Sequence, residues 1–323
     1  MQASTVLKFS TDDLPARDRL PYWREVFGRA VVKVDLAPLG ETPFRSQSRV
    51  RVLPDLNVRS SHATAAHVTR TPALVADGDD KLVLTIIKRG QMRATQHDRE
   101  VYLDQGGAYL WSNALLGDCI NPTEMDLITL AFPRRALASS VVDLDRAAMT
   151  LIPKATESLR LLISYVDMLQ GDAAPSSPEL LALSASHVHD LAALALGATR
   201  DATETARTGG LRAARLQAIK ADIMANLTQR SLTADSLAAR HGISTRYVRS
   251  LFDSDRTTFT DFVREQRLRR AYRMLCSAAF AGHGISTIAY DCGFGDLSYF
   301  NHCFRHRYGA TPSDVRAAAA QPR

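Results

Sequence analysis

Arg246 and Arg249 stand three residues apart within the run Ser244 to Asp253. A guanidinium is planar, permanently charged and carries five N–H donors in a fixed fork. It can clamp a phosphate, or bridge the O6 and N7 acceptors of a guanine. On a helix, a spacing of three puts both side chains on one face. The apolar members of the run, Val248, Leu251 and Phe252, take the opposite face, which leaves Thr245, Arg246, Arg249 and Ser250 outward. The chemistry on offer is hydrogen bonding to a polyanion. The two arginines either read base edges or hold phosphates, which positions without specifying.

A second run, Leu297 to Arg305, has the same design. Tyr299, Phe300, Cys303 and Phe304 read as wholly or partly inward. Leu297, Ser298, Asn301 and His302 are the candidates for a groove, and Arg305 is better placed for phosphate. This face is less basic than the first, which predicts a smaller share of the affinity or more tolerance of base changes.

Each run needs an element to hold it, and each is preceded by the same pattern. Ala238 lies four residues before Gly242, and Ala289 four before Gly293. A small side chain lets two helices cross closely, and glycine takes the positive φ of a tight turn cheaply. Ile243 and Phe294 then plug the core beneath the turn, and Ser244 and Asp296 are N-caps for the second helix. This is a helix-turn-helix pattern, present twice about fifty residues apart. The second turn reads one residue longer. Between the copies, Thr258 to Ala278 has the apolar spacing of an amphipathic helix. About twenty helical residues span about 30 Å, close to one turn of DNA at about 34 Å. That helix carries Arg264, Arg267 and Arg270 about one turn apart, either as phosphate contacts or as partners in ion pairs within the domain.

The run Gly293-Phe294-Gly295-Asp296-Leu297-Ser298-Tyr299-Phe300, then Phe304-Arg305 and Tyr308-Gly309-Ala310-Thr311-Pro312-Ser313, resembles the signature of the AraC/XylS transcriptional regulators. Arg267-Leu268-Arg269-Arg270-Ala271 resembles that family's linker helix. The specific match covers roughly Leu216 to Arg316. The resemblance implies base contact by Arg246, Arg249 and Ser250, and activation through RNA polymerase. Upstream it implies a cupin-like sensor domain for a small-molecule effector, with a dimerising helical segment.

Charge follows the same division. From Leu211 onward there are 17 Lys and Arg against 9 Asp and Glu, whereas the preceding residues carry 23 against 25. The excess is nearly all Arg, which favours double-stranded DNA as partner over a merely solvated basic face. The four cysteines form no C-x-x-C pair, and Cys276, Cys292 and Cys303 read as small buried apolar residues. No disulfide framework is implied. Asp12, Asp13, Arg17, Asp18 and Arg19 interrupt any leader-like apolar run, and no stretch approaches a membrane span. The expected location is cytoplasmic.

Earlier in the chain, Pro15 to Arg29 reads as a helix with Leu20, Trp23 and Phe27 on one face. Ser48 to Val52, Leu56 to Ser60, Lys81 to Ile87, Gln91 to Thr95, Ala108 to Trp111 and Asp126 to Phe132 read as short strands between turn residues. Such strands suggest a sandwich or barrel, whose interior can enclose a ligand. Tyr109 and Trp111 either contact such a ligand or pack the core, and no ligand-binding residue is assigned. His62, His67 and His97 are too scattered to suggest a cupin metal site, so no metal, cofactor or catalytic residue is assigned. Arg135 to Asp145 reads helical. Ala155 to Leu169 and Leu180 to Leu196 read as an antiparallel helix pair, the second with its stripe at Leu180, Leu183, Leu191 and Leu194. These stripes are expected to pack on the barrel and in part to form a homodimer. Gly171 to Pro178 reads as a loop and the polar stretch Gly197 to Gly210 as a linker.

The expected fold is α+β: an N-terminal cupin-like β-barrel with a helical dimerisation segment, and a C-terminal all-α domain with two helix-turn-helix motifs joined by a helix. The expected domains are 1–196, a linker at 197–210, and a DNA-binding domain at 211–323. Two alternatives stay open, a metal-dependent cupin-like enzyme with a DNA-binding tail and a regulator controlled by a protein partner.

Overall fold

The structure is a computed structural model describing residues 6–171 and 174–319. It divides into two compact units, Met1–Ala214 and Arg215–Arg323.

The first unit is built on eleven strands. One sheet has the order β1 (Val6–Ser10), β3 (Ser46–Leu53), β4 (Leu56–Ala63), β11 (Met125–Phe132), β6 (Leu82–Arg89), β9 (Ala108–Ser112). The other runs β2 (Asp35–Pro38), β5 (Ala66–Arg70), β10 (Gly117–Asn121), β7 (Met92–Gln96), β8 (Arg99–Leu103). Every pairing of these strands is antiparallel. Strand alternation sends every second side chain inward. Arg59, Ser61 and Ala63 of β4, Leu127 and Thr129 of β11, and Tyr109 and Trp111 of β9 therefore face one shared interior. This is the cupin-like barrel expected from the sequence.

All six expected strands are present; β7 is shifted by one residue at the same length and the other five are one to three residues longer than read. The other five, β1, β2, β5, β8 and β10, lack the dense β-branched signal and are held by pairing with stronger neighbours.

Helix α1 (Ala16–Tyr22) runs on into a wider π-helical stretch, Trp23–Val32. It buries Trp23 and Phe27 against Phe44 and Val50. Burying one such side chain is worth about 1.5–3 kcal/mol. A short α2 (Pro72–Val75) precedes β6. The single helix expected at Arg135 to Asp145 is instead two, α3 (Arg134–Ala138) and α4 (Leu144–Ala147), the second restarted by Asp143, whose carboxylate caps Arg146 N.

Helices α5 (Glu157–Gln170) and α6 (Pro178–Leu196) pack together as expected, and Gln170 donates to the Val58 carbonyl of β4. Of the loop between them, Asp172 and Ala173 lie outside the described residues. The stripe on α6 differs from expectation. Its buried face is Leu181, Ser184, Ala185, Val188, Leu191 and Ala192, while Leu180 and Leu183 are about half exposed, at 51% and 52%. Small residues let the helix sit close, and Ser184 satisfies its hydroxyl on the Leu180 carbonyl at 2.7 Å. The polar stretch after Gly197 contains helix α7 (Arg200–Thr208), capped by Thr199 and packed on α6 with Ala206 fully buried. One inward alanine leaves no apolar stripe to read.

The second unit is helical. After α8 (Gly210–Ala225) come α9 (Ala234–His241), α10 (Thr245–Ser254), α11 (Phe259–Cys276), α12 (Ile285–Asp291), α13 (Leu297–Tyr308) and α14 (Pro312–Ala319). It has two cores. Leu216, Ile219, Ile223 and Leu227 of α8 and its C-terminal end pack with Leu237, Val248, Leu251 and Phe252. Ile288, Ala289, Phe294, Phe300 and Phe304 form the other. Helix α11 serves both, giving Val263 to the first and Leu268, Ala271, Met274 and Leu275 to the second. Cys292 and Cys303 are buried there, but Cys276, the last residue of α11, is exposed. Apolar periodicity does not say where a helix ends, and that terminal position turns the thiol outward.

Candidate functional site

Each half of the second unit builds its outward helix in the same way. Thr233 caps α9 in a reciprocal capping box with Ser236. Gly242 takes φ +62° and Gly293 φ +91°. Ser244 accepts from Tyr247 N and Asp296 from Tyr299 N, so both expected N-caps are present. Ala238 and Ala289 are buried at the helix crossings. Two residues separate Gly242 from Thr245 and three separate Gly293 from Leu297, which is the longer second turn read from the sequence.

On α10, Val248, Leu251 and Phe252 are fully buried and Arg246 and Arg249 are exposed. Thr245 is half-buried, its hydroxyl donating to Asp235 at 2.6 Å. The Ser250 hydroxyl bonds back to the Tyr247 carbonyl at 3.0 Å. On α13, Ser298, Asn301, His302 and Arg305 are exposed, whereas Leu297 is half-buried against the second core. Tyr299 is 47% exposed and touches Phe294 with its ring.

Pairing separates the arginines of this unit. Arg240 and His241 hold Asp222. Arg264 bonds Asp261 at 2.6 Å. Arg269 and Arg307 converge on Glu265. Arg267 donates to two carbonyls, Leu227 at 2.9 Å and Gln229 at 2.9 Å. Burial pushes the Cys292 thiol up to about 11, and the charge of Arg270 opposes that rise. Arg264, Arg267 and Arg269 of α11 therefore have partners within the unit. Arg246 and Arg249 have no hydrogen bond or ion pair with any described residue. Their guanidinium donors are free for an external acceptor.

The barrel of the first unit holds a partly open cavity of about 130 Å³. Trp23, Val68, Met92, Tyr109, Trp111 and Leu127 give it an apolar wall. Tyr109 and Trp111 both line it, and they meet edge-on with ring centroids 6.4 Å apart. The Tyr109 hydroxyl lies 3.2 Å from Cys119 Sγ, and burial pushes that thiol up to about 12. Arg70 is fully buried and fully used, on the Asn113 and Lys33 carbonyls and Asp77. Arg59 and Asn121 also line the cavity. Neither was singled out from the sequence. The available signal was Arg59 sharing the inward phase of β4 with Ser61 and Ala63.

His62 bonds Asp126 at 2.7 Å on one sheet, and His67 bonds Asp118 at 3.3 Å on the other. His97 sits in the β7–β8 turn at φ +56°. Among the described residues no three His, Cys, Asp or Glu gather as a metal site. No helix among them is long and apolar enough to cross a membrane.

Residues 23–197 match the AraC-binding-like domain, and residues 237–318 match a helix-turn-helix domain. The chain belongs to the AraC family of transcription regulators. This AraC-family chain is 25% identical to the transcriptional activator NphR of a Rhodococcus species over 98% of its own length and 94% of the relative's. It is 40% identical to the transcriptional activator RhrA of Rhizobium meliloti, over 33% of each chain. The crystal structure of the AraC-like transcriptional activator CuxR shares the fold, with a TM-score of 0.50 and 17% identity, covering 83% of this chain and 95% of that one. As an AraC-family regulator the protein binds DNA, and its known relatives are regulators.

Proposed function

We propose that the protein is a sequence-specific transcription activator that reads DNA through Arg246 and Arg249, under control of a small-molecule effector taken up by its barrel. The observation that carries this reading is the contrast in pairing. Arg264, Arg267 and Arg269 of α11 and Arg307 have internal partners, whereas the two on the outward face of α10 have none. Free guanidinium forks at that spacing suit the guanine edge in a major groove. Thr245, Ser250, Ser298, Asn301 and His302 complete the two reading faces, with Leu297 at the edge of the second and Arg305 on phosphate. Residues 1–196 serve as sensor and dimerisation domain, 197–210 as the connection and 211–323 as the DNA-binding domain.

Activation, through contact with RNA polymerase, is supported by the activator names of NphR, RhrA and CuxR. A homodimer is supported by Leu180 and Leu183, which leave an apolar strip on α6; we take it to work in the cytoplasm. The cavity inside the barrel, largely apolar with a few polar groups, favours a small ligand over a protein partner as the controlling signal.

The test is a footprint on the DNA flanking the protein's own gene, with wild type and with Arg246→Ala plus Arg249→Ala. The expected result is a discrete protected site that the double variant loses. Protection confined to low salt and unchanged by the substitutions would mean phosphate-dominated binding and would overturn the assignment of these residues.

A further inference from the structure

We propose that the barrel cavity takes a small organic monocarboxylate with a ring-sized apolar body, its carboxylate held by Arg59. This rests on the effector reading above and adds the chemical class.

Arg59 reaches the interior from β4, with part of its surface facing the cavity. Its Nε donates to Thr129 Oγ1 at 3.0 Å, and its guanidinium carbon lies 5.9 Å from the centre of the Phe27 ring. Its two terminal nitrogens make no hydrogen bond to any described residue, and no carboxylate stands within ion-pair distance. Burial alone pulls its pKa down to about 10, so it remains charged at neutral pH. Compare Arg70, whose three nitrogens are all used. A guanidinium in an apolar interior without an anion is costly, because little there replaces its lost hydration. Arg59 thus presents two parallel N–H donors, the geometry that a carboxylate accepts bidentately.

A second observation is independent of the first. Asn121, 5% exposed, lines the same cavity, and its Oδ1 is buried without a donor. Its amide offers an occupant an acceptor or, turned over, two donors. Around them, Trp23, Trp111, Tyr109 and Met92 give an aromatic and aliphatic surface, interspersed with Ser46, Ser61, Thr85 and Asn113. At about 130 Å³ the cavity is slightly smaller than the roughly 150 Å³ apolar cavity that takes up benzene, which limits an occupant's body to about one ring.

The test is thermal unfolding of the full chain with benzoate, with benzamide as the neutral isostere, and with benzyl alcohol. Wild type is expected to gain about 2–4 °C at millimolar benzoate and less than half of that with either neutral compound. Arg59→Met removes an unpaired buried charge, so its Tm without ligand is expected at or above that of wild type. Its benzoate response should vanish. If Arg59→Met does not fold, Arg59→Gln carries the same comparison. A purely structural Arg59 would instead give a lower Tm and an intact benzoate response, and that result overturns the proposal. Equal shifts with benzamide would reject the anion and leave the small-molecule reading standing. No shift with benzoate rejects the proposal while leaving the footprint result untouched.

Discussion

Arg267 Nε lies 2.9 Å from the carbonyl oxygen of Leu227, so the middle of α11 is fastened to the end of the first core of the DNA-binding unit. Its Nη2 makes a second such bond, to Gln229. Helix α11 is therefore fixed against the first helix-turn-helix as well as packed into the second. Replacing Arg267 by Met keeps most of the apolar stem and removes both bonds. The expected cost is about 2 kcal/mol, since the bonds are charge-assisted and leave carbonyls unsatisfied. Urea unfolding of the variant would measure it, and an unchanged midpoint would show that the two bonds contribute nothing.

Gly293 sits against this same linkage. A Cβ there would lie 2.9 Å from both Arg267 Nε and the Leu227 carbonyl oxygen, at a backbone φ of +91°. Gly242, its counterpart in the first motif, has φ +62° but nothing within 4 Å of the added atom. Gly242→Ala is expected to cost only the left-handed strain, about 1–2 kcal/mol. Gly293→Ala carries the strain and the clash, and should cost clearly more. Parallel denaturation curves of the two variants decide this, and equal losses would mean that the backbone shifts to relieve the contact.

The Glu265 carboxyl should make the unit acid-sensitive. Hydrogen bonds from Arg307 hold its pKa below the ordinary 4.5, burial opposes them, and Arg269 adds to the lowering. A carboxyl with a depressed folded pKa contributes stability that is fully present above its unfolded value and lost as pH falls through the folded one. Tm of the wild type should therefore fall below about pH 4.5, and Glu265→Gln should flatten part of that decline while lowering Tm at pH 7. Identical pH profiles for the two proteins would show that the exposed Arg307 is too well hydrated to matter.

The helix-turn-helix pair was legible in the sequence because its constraints are local. A small residue, a glycine and a cap at fixed offsets specify each turn, and Ala238, Gly242 and Ser244 do so within seven positions. The six stronger strands were legible by composition. The barrel interior was not. Arg59 and Thr129 meet at 3.0 Å across 70 residues of chain. No spacing rule joins β4 to β11 before their register is known. The outward Leu180 and Leu183 escaped for a related reason, because Ala and Ser, which form the inner face of α6, carry little hydrophobic signal. Whether Arg267 faced a phosphate or a carbonyl was likewise set by distant backbone.

Strand β9 is buried along its whole length. Tyr109 and Trp111 line the cavity on one side. Along its edge away from β6, Ala108 exchanges backbone hydrogen bonds with Ile152, and Leu110 accepts one from Met149, just upstream of α5. A strand without a solvent face has no slack, because packed interiors yield in steps and not by degrees. β9 is thus a partition wall loaded on the cavity face and along its outer edge. The stiffness of the segment leading into α5 is set in part by how tightly the far side of that wall is filled.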